Sequence, residues 1–384
     1  MTVRLETFEL ERWQSTWEHG VDCNLSESGV HPMTVRELLA LPGGDTGLDA
    51  ERLLDQRLIY PQTNGTPELR ERIAALYPGA GPDHVLVTHG GAEANFLVSF
   101  RIVEPGDEVV VLLPNYLQTH GIVRGLGARV VPWELREEHG WNPDPGELDE
   151  LVTERTALIV LTTPNNPTGR ILREPALDAV AAAAARVGAW VLSDEIYRGA
   201  ELGDAEAPSM WGRCDRLFVS AGLSKAYGLP GLRTGWVASP DPACIERLWA
   251  ARDYTTIASS PLTMALAAHA LEPARRAAIR ERTRAILRRN LDAARGWLDE
   301  RADLFRYAPP EAGAILWTRY ALELGSAELA ERLRAEESTL VCAGAQFGVE
   351  HHLRLGFGPE RESLLEGLAR LERLVGRVRA RAVP

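Results

Sequence analysis

The chain has 384 residues, 45% of them apolar and 25% charged, with a formal net charge of −12. These proportions are typical of a soluble globular protein, and the acidic balance argues against a nucleic-acid binder, which normally presents a basic face. The length exceeds the size at which a single hydrophobic core usually stops growing, so we expect two lobes.

No membrane or secretion segment is recognisable. The most apolar long stretch, 176–192, is interrupted by Asp178 and Arg186, and residues 1–20 carry several charges without the apolar centre of a signal peptide. The four cysteines are far apart and lack metal-ligand spacing: Cys23, Cys214, Cys244 and Cys342. We interpret them as reduced thiols, and therefore predict a cytoplasmic protein that binds no metal, membrane or nucleic acid.

Along the chain, residues 1–44 fit no regular pattern. An amphipathic turn around 8–17 precedes an irregular segment at 24–34, which we interpret as an N-terminal arm contributing to the small domain.

Short apolar runs then recur at 84–88, 108–113, 129–133, 157–161, 189–193, 217–220 and 234–238. Most have valine, leucine or isoleucine on successive residues, as expected of strands that are buried on both faces. Helix-length stretches such as 92–102 and 174–187 separate several of the runs. This alternation predicts a large α/β domain over 45–285, in which helices flank a mostly parallel seven-stranded sheet.

The pattern changes after about residue 240. Segments 262–271 and 277–298 look helical, and the apolar residues of 364–378 keep to one helical face. Segments 314–317 and 352–357 are predicted strands. We therefore expect a smaller α/β domain over 286–384.

The basic residues are unevenly divided between two types. Of 42 Lys and Arg residues, one is a lysine, Lys225. A compositional bias toward arginine explains the other positions but not the lysine that remains. Arginine keeps its proton in proteins and forms no Schiff base, whereas a lysine amine can lose its proton and can form a Schiff base. The lone lysine therefore predicts a chemical role.

Three polar segments follow predicted strands in chain order. Asn-Asn-Pro-Thr-Gly occupies 165–169, Asp-Glu-Ile-Tyr occupies 194–197, and Lys225 opens a Gly/Pro-rich turn that ends at Arg233. Ligands bind at the carboxyl ends of strands in open α/β sheets. Each of the first two segments alone has an ordinary interpretation as a turn or a helix cap. Their order before the lone lysine favours one shared site.

Together with Leu-Arg-Leu-Gly-Phe-Gly at 353–358, these segments resemble the class I and II aminotransferases, pyridoxal-phosphate (PLP) enzymes of fold type I. The resemblance covers essentially the whole chain. It implies that Lys225 binds PLP as a Schiff base and shuttles the proton at the substrate α-carbon. It places Asp194 against the ring nitrogen, with Asn166 and Tyr197 on the phenolic oxygen.

The resemblance also implies the other cofactor contacts. Arg233 and the amides of Gly91 and Ala92, where a strand turns into a helix, suit the phosphate. Tyr116 corresponds to the aromatic residue that stacks on the ring. Tyr60 corresponds to the tyrosine that reaches the phosphate of the neighbouring subunit, so a homodimer is implied.

One position departs from the family pattern. Three residues before the lysine, where the family commonly has Ser or Thr as a phosphate ligand, the chain has Gly222. Ser220 and Ser224 are the alternative candidates.

For the substrate, the resemblance implies an α-amino acid whose carboxylate binds Arg354, with Gly29 and Asn166 nearby. No clear counterpart of the arginine that selects dicarboxylic substrates is present, which disfavours aspartate. Three histidines are candidates near the substrate without an assigned role: His31, His351 and His352.

Two reactions stay open from the sequence. The primary hypothesis is amino-group transfer to a 2-oxo acid. Segment 26–34 resembles the arm of capreomycidine synthase-like enzymes, which favours elimination and cyclisation, or oxidation, of a basic, arginine-derived amino acid as the alternative. A ligand-sensing regulator is disfavoured because no basic helix-turn-helix precedes residue 45, and a dehydrogenase because the G-x-G-x-x-G fingerprint is absent.

Overall fold

The computed structural model describes residues 4–382. The helices are α1 (Glu9–Trp17), α2 (Val35–Ala40), α3 (Ala50–Leu54), α4 (Pro67–Ala74), α5 (Gly91–Ile102), α6 (Gln118–Gly125), α7 (Leu148–Leu151), α8 (Glu174–Val187), α9 (Pro242–Arg252), α10 (Pro261–Ala270), α11 (Pro273–Asp299), α12 (Ser326–Glu337) and α13 (Arg361–Ala382). The strands are β1 (Cys23–Asn24), β2 (Val85–Thr88), β3 (Glu108–Leu113), β4 (Arg129–Glu134), β5 (Thr156–Thr162), β6 (Trp190–Asp194), β7 (Leu217–Gly222), β8 (Gly235–Ala238), β9 (Phe305–Tyr307), β10 (Ile315–Tyr320), β11 (Thr339–Leu340), β12 (Cys342–Ala343) and β13 (His352–Gly356).

A seven-stranded sheet forms the centre of the large lobe, in the order β2-β8-β7-β6-β5-β3-β4. Strand β8 runs antiparallel to both its neighbours, and the remaining pairs are parallel. Successive residues of β3 belong to different cores: Val110 and Leu112 pack in one, Val109 and Val111 in the other. The strand therefore needs an unbroken apolar run, because helices cover both faces. The predicted fold class is confirmed.

The carboxyl ends of three parallel strands lie in register. Thr162 of β5 pairs with Asp194 of β6, which in turn pairs with Ser220 of β7. This edge of the sheet is where the predicted polar segments emerge, so the fold brings them together.

The small lobe has a four-stranded antiparallel sheet in the order β12-β13-β10-β9. Strand β1 of the arm pairs in parallel with β11, and α1 is a regular helix where the sequence predicted a turn. Helix α11 runs through position 285. The division into 1–44, 45–285 and 286–384 stays a prediction, and residues 1–3 and 383–384 of it lie outside the described part of the chain. None of the helices within residues 4–382 combines the length and apolar character needed to cross a membrane.

Candidate active site

A cavity of about 350 Å³ lies between the strand ends, the first turn of α5, the N-terminal arm and β13. Most of the predicted site residues line it: Gly91, Ala92, Tyr116, Asn166, Asp194, Tyr197, Lys225, Arg233 and Arg354. The fold thus brings these predicted residues, which are up to 263 positions apart from Gly91 to Arg354, around one cavity.

Asp194 lies at the end of β6 and accepts hydrogen bonds from neutral groups. Its carboxylate accepts from Asn95 Nδ2 at 2.9 Å and from the amide of Ile196 at 3.1 Å. Ser220 Oγ donates to Asn95 Oδ1 at 2.6 Å and so fixes the amide's orientation. Burial raises the pKa of Asp194, and no cationic side chain within residues 4–382 forms an ion pair with it. The carboxylate therefore fits a cationic partner such as a protonated pyridine nitrogen.

The start of α5 forms a cradle for an anion. Gly90 precedes the helix at φ +79°, and a Cβ there would lie 2.7 Å from Arg233 Nη2. Free amides at Gly91 and Ala92 face the same cavity. The helix dipole, these amides and the permanent charge of Arg233 together suit a phosphate dianion. Within the described residues, Arg233 forms no ion pair with a carboxylate, so its charge is available.

The packing around Gly222 explains the departure from the family pattern. A Cβ at this position would lie 3.0 Å from the carbonyl oxygen of Thr234 and 3.1 Å from both Gly235 Cα and Ile196 Cδ1. A serine or threonine here would require these neighbours, two of which are backbone atoms, to move by a few tenths of an ångström. Ser220 is buried against Asn95 and does not line the cavity, which corrects its candidacy as a substitute ligand.

Ser224, the other candidate, does line the cavity. Of the two serines, it is the one that the geometry leaves available to an anion.

Arg354 is a buried cation without a carboxylate partner. Its side chain is 1% exposed at the centre of β13. Nη1 donates to Asn166 Oδ1 at 3.0 Å, and Nη2 donates to the carbonyl of Ser26 and to Cys342 Sγ at 3.1 Å. None of these partners is charged, and Nε has no partner within residues 4–382. Since an uncompensated buried charge is costly, the arrangement fits a ligand carboxylate.

The lining of the cavity also contains three acidic side chains, Glu11, Glu18 and Glu27, which we call the acidic rim. Glu27 Oε2 lies 3.8 Å from Lys225 Nζ. Burial, with Glu27 as a secondary cause, raises the pKa of Glu18. The hydroxyl of Tyr116 donates to Glu11 Oε1 at 2.7 Å, so this aromatic is anchored to the rim.

Two predicted site residues lie outside the cavity lining. Tyr60 is 81% exposed. Gly29 lies directly behind the lysine, where a Cβ would be 3.6 Å from Lys225 Cδ. The backbone of the arm therefore supports Lys225 closely at this point.

The three candidate histidines also lie outside the lining. His31 contacts Glu360 and Arg282. His351 packs against Tyr320 at the surface, and His352 is stacked on Trp317. Their contacts are structural.

Sequence reasoning missed several residues that shape the cavity: Asn95, Ser28, Glu11, Glu18 and Glu27. One signal was available, because Glu11 and Gln14 of α1 and Glu18 at its C-cap recur at helical spacing and all line the cavity. No comparable pattern marks Asn95 or Ser28.

Comparison with known proteins places the chain. The model of the family "Aminotransferase class I and II" matches residues 48–371. The chain belongs to the class I and II aminotransferase family. This family member is 35% identical over 375 residues to capreomycidine synthase of Streptomyces vinaceus, covering 96% of this chain and 93% of that protein.

Two solved structures are similar to the aminotransferase-family chain. The PLP-dependent aminotransferase of Streptococcus suis 89-1591 superposes with a TM-score of 0.90 at 32% identity, covering 98% of this chain and 99% of the other. The PLP-dependent cyclase OrfR superposes with a TM-score of 0.87 at 30% identity, covering 98% of both chains. The predictions of the family and of PLP as cofactor are confirmed.

Proposed function

We propose that the chain is a PLP-dependent aminotransferase that transfers the amino group of an α-amino acid to a 2-oxo acid. The observation that carries the proposal is the charge pattern of one cavity. Asp194 and Arg354, of opposite sign, both lack ionic partners within the described residues, and the chain's one lysine lies in the same space. These groups match a cationic ring nitrogen, a carboxylate and a reactive carbonyl respectively.

The residues have separable tasks. When bound, PLP supplies an electron sink for the pair left at the substrate α-carbon. Arg354 binds the α-carboxylate and thereby orients the α-carbon toward Lys225 Nζ, which removes the α-proton and returns it. Asp194 holds the proton at the ring nitrogen, while Arg233 and the amides of α5 bind the phosphate.

The experiment that tests the reaction mixes the PLP-loaded enzyme with single amino acids and no oxo acid. A transaminase stops after one turnover, since the amino group stays on the enzyme until an acceptor arrives. Continued turnover without an acceptor, or a cyclic amino-acid product, contradicts amino-group transfer. The visible spectrum and the released products are followed together.

The acidic rim favours a second candidate, elimination and cyclisation, or oxidation, of a basic, arginine-derived amino acid. A substrate whose carboxylate lies on Arg354 and whose amino group lies at Lys225 has its side chain free to extend to Glu11, Glu18 and Glu27. Three carboxylates there favour a guanidinium or ammonium group. The similarity to capreomycidine synthase and to a PLP-dependent cyclase supports this candidate.

Neutralising the rim tests the substrate class under either reaction. We expect Glu18→Gln and Glu27→Gln each to raise the KM for arginine about fivefold, the loss of one partly solvated ion pair. The KM for citrulline, which has nearly the same shape without the charge, stays unchanged. Glu150→Gln on α7 removes an equal, exposed charge that does not line the cavity, and serves as control. Equal effects on arginine and citrulline contradict a cation-binding rim.

The enzyme is further proposed to be a cytoplasmic homodimer. The four cysteines are free, which suits a reducing compartment. Large apolar side chains are exposed beside Tyr60: Leu54 (79%), Leu58 (79%) and Ile59 (61%). Such a run is typical of an interface, and burying it would bring Tyr60 to a neighbouring subunit.

Charges at this run should prevent assembly. We expect Leu58→Asp with Ile59→Asp to convert a dimer into monomers in sedimentation velocity, because two carboxylates would be desolvated in each copy. Leu365→Asp, at an exposed leucine of α13, is the matched control and leaves the assembly intact. A wild-type chain that sediments as a monomer refutes the dimer.

A further inference from the structure

Arg354 determines the orientation of the Asn166 amide. A guanidinium donates hydrogen bonds and accepts none, so the atom of Asn166 that lies 3.0 Å from Arg354 Nη1 must be Oδ1. The amide nitrogen then faces Tyr197 Oη at 3.1 Å. Because the amide nitrogen is a donor, the phenol oxygen of Tyr197 accepts this bond.

The single hydrogen of the Tyr197 hydroxyl must therefore go to another atom. Ser28 Oγ lies 2.9 Å from Tyr197 Oη and accepts it. Ser28 is 4% exposed, lines the cavity, and has no other side-chain hydrogen bond within residues 4–382. The direction of the Tyr197 O–H bond thus depends on one serine of the arm.

The same short segment closes the chain of hydrogen bonds. Arg354 Nη2 donates to the carbonyl of Ser26, two residues before Ser28, and β1 just upstream pairs with β11 of the small lobe. The bonds run from Arg354 through Asn166 and Tyr197 and return to the arm. The arm therefore contacts both ends of this network, Arg354 through the Ser26 carbonyl and Tyr197 through Ser28.

We propose that Ser28 is a positioning residue, which holds the Tyr197 hydroxyl hydrogen and so limits how strongly Tyr197 donates to an anionic oxygen in the cavity. The proposal rests on the proposed function, since it assumes PLP in this cavity. Titratable or charged groups of the elements around the cavity that face the same space are Glu11, Glu18, Glu27, Tyr116, Asp194, Lys225, Arg233 and Arg354. Ser28→Ala leaves all of them in place.

The test is the pH titration of the visible absorbance band of the PLP-loaded enzyme. In Ser28→Ala the hydroxyl hydrogen of Tyr197 loses its acceptor, and the hydroxyl donates to the anionic oxygen in the cavity instead. This hydrogen bond stabilises the charged form of the anionic oxygen, so the midpoint pH of the absorbance titration falls by about half to one pH unit. Ser28→Thr keeps the hydroxyl and restores the wild-type midpoint. In a Tyr197→Phe background, Ser28→Ala produces no further shift, because the serine acts through the tyrosine.

Each outcome decides between a positioning role and a packing role. An unchanged or raised midpoint in Ser28→Ala overturns the proposal, and so does an additive shift in the Tyr197→Phe background. If Ser28→Ala does not fold, Ser28→Cys, with a weaker acceptor of similar size, takes its place and shifts the midpoint in the same direction. If the wild type shows no visible band with PLP, the proposed function itself is wrong. This result distinguishes failure of the proposed function from failure of the positioning role of Ser28.

Discussion

Lys225→Arg is expected to abolish turnover, by on the order of a thousandfold or more, while leaving the fold unchanged. Lys225 Nζ lies 3.8 Å from Glu27 Oε2, and an arginine keeps a positive charge at this position, so an ion pair with Glu27 stays possible. The substitution removes the chain's one side-chain amine, and an arginine neither loses its proton nor forms a Schiff base. Proton transfer by a positioned base alone contributes about 10²- to 10⁴-fold, and the covalent role adds to this. Steady-state rates with thermal melting as fold control check the expectation.

The composition makes the labelling experiment unusually direct. Borohydride reduction of the PLP-loaded enzyme should place the label on the peptide that contains Lys225, because no other side-chain amine exists. The double variant Lys225→Arg with Arg289→Lys restores the lysine count at an exposed position of α11. We expect it to be inactive and unlabelled at the cavity. Label on the wild-type amino terminus in place of residue 225 contradicts the assignment.

The sheet was predictable because its strands obey a strong local rule. The run predicted at 108–113 is β3 (Glu108–Leu113) residue for residue, since burial on both faces favours apolar side chains at every position after Glu108, whose carboxylate is paired with Arg129 and Arg155. The arm was harder. The segment is visibly amphipathic, but helix α1 has nine residues and buries one of them, Leu10, so the sequence did not distinguish a short helix from a turn.

The site was predictable to the extent that its residues follow strands. Asp194 is the last residue of β6, and Asn166 lies in the segment that follows β5, on the side of the sheet where the fold class places ligands. Contacts between residues that are far apart in the sequence produce no local sequence pattern from which they could be predicted. Ser28 and Tyr197 are 169 positions apart, and Asn95 and Asp194 are 99 apart. The tight packing around Gly222 is likewise tertiary, because it comes from Thr234 and from Gly235 of the neighbouring strand β8.

Arg354→Gln is expected to lower kcat/KM for α-amino acids by roughly 30- to 5,000-fold, as is typical when one partner of a buried charge pair is removed. Most of the loss should appear in KM, because Arg354 contacts neutral groups of the protein and its charge is available to bind the substrate carboxylate. Arg354→Lys should recover little, since a point charge does not replace a forked donor that also holds Asn166.

The matched control for Arg354 is a change in the substrate. An amine that lacks the α-carboxylate has no group that can pair with the Arg354 guanidinium. Its slow conversion should therefore be the same or faster in Arg354→Gln, because this variant has no unpaired buried cation. Parallel losses for the amino acid and its decarboxylated amine would mean that the variant damages the cavity in general. A loss confined to the amino acid assigns the carboxylate to Arg354. Because Arg354 also orients Asn166, and through it Tyr197, the variant should in addition shift the pH midpoint of the visible band, linking substrate binding to the tuning of the site.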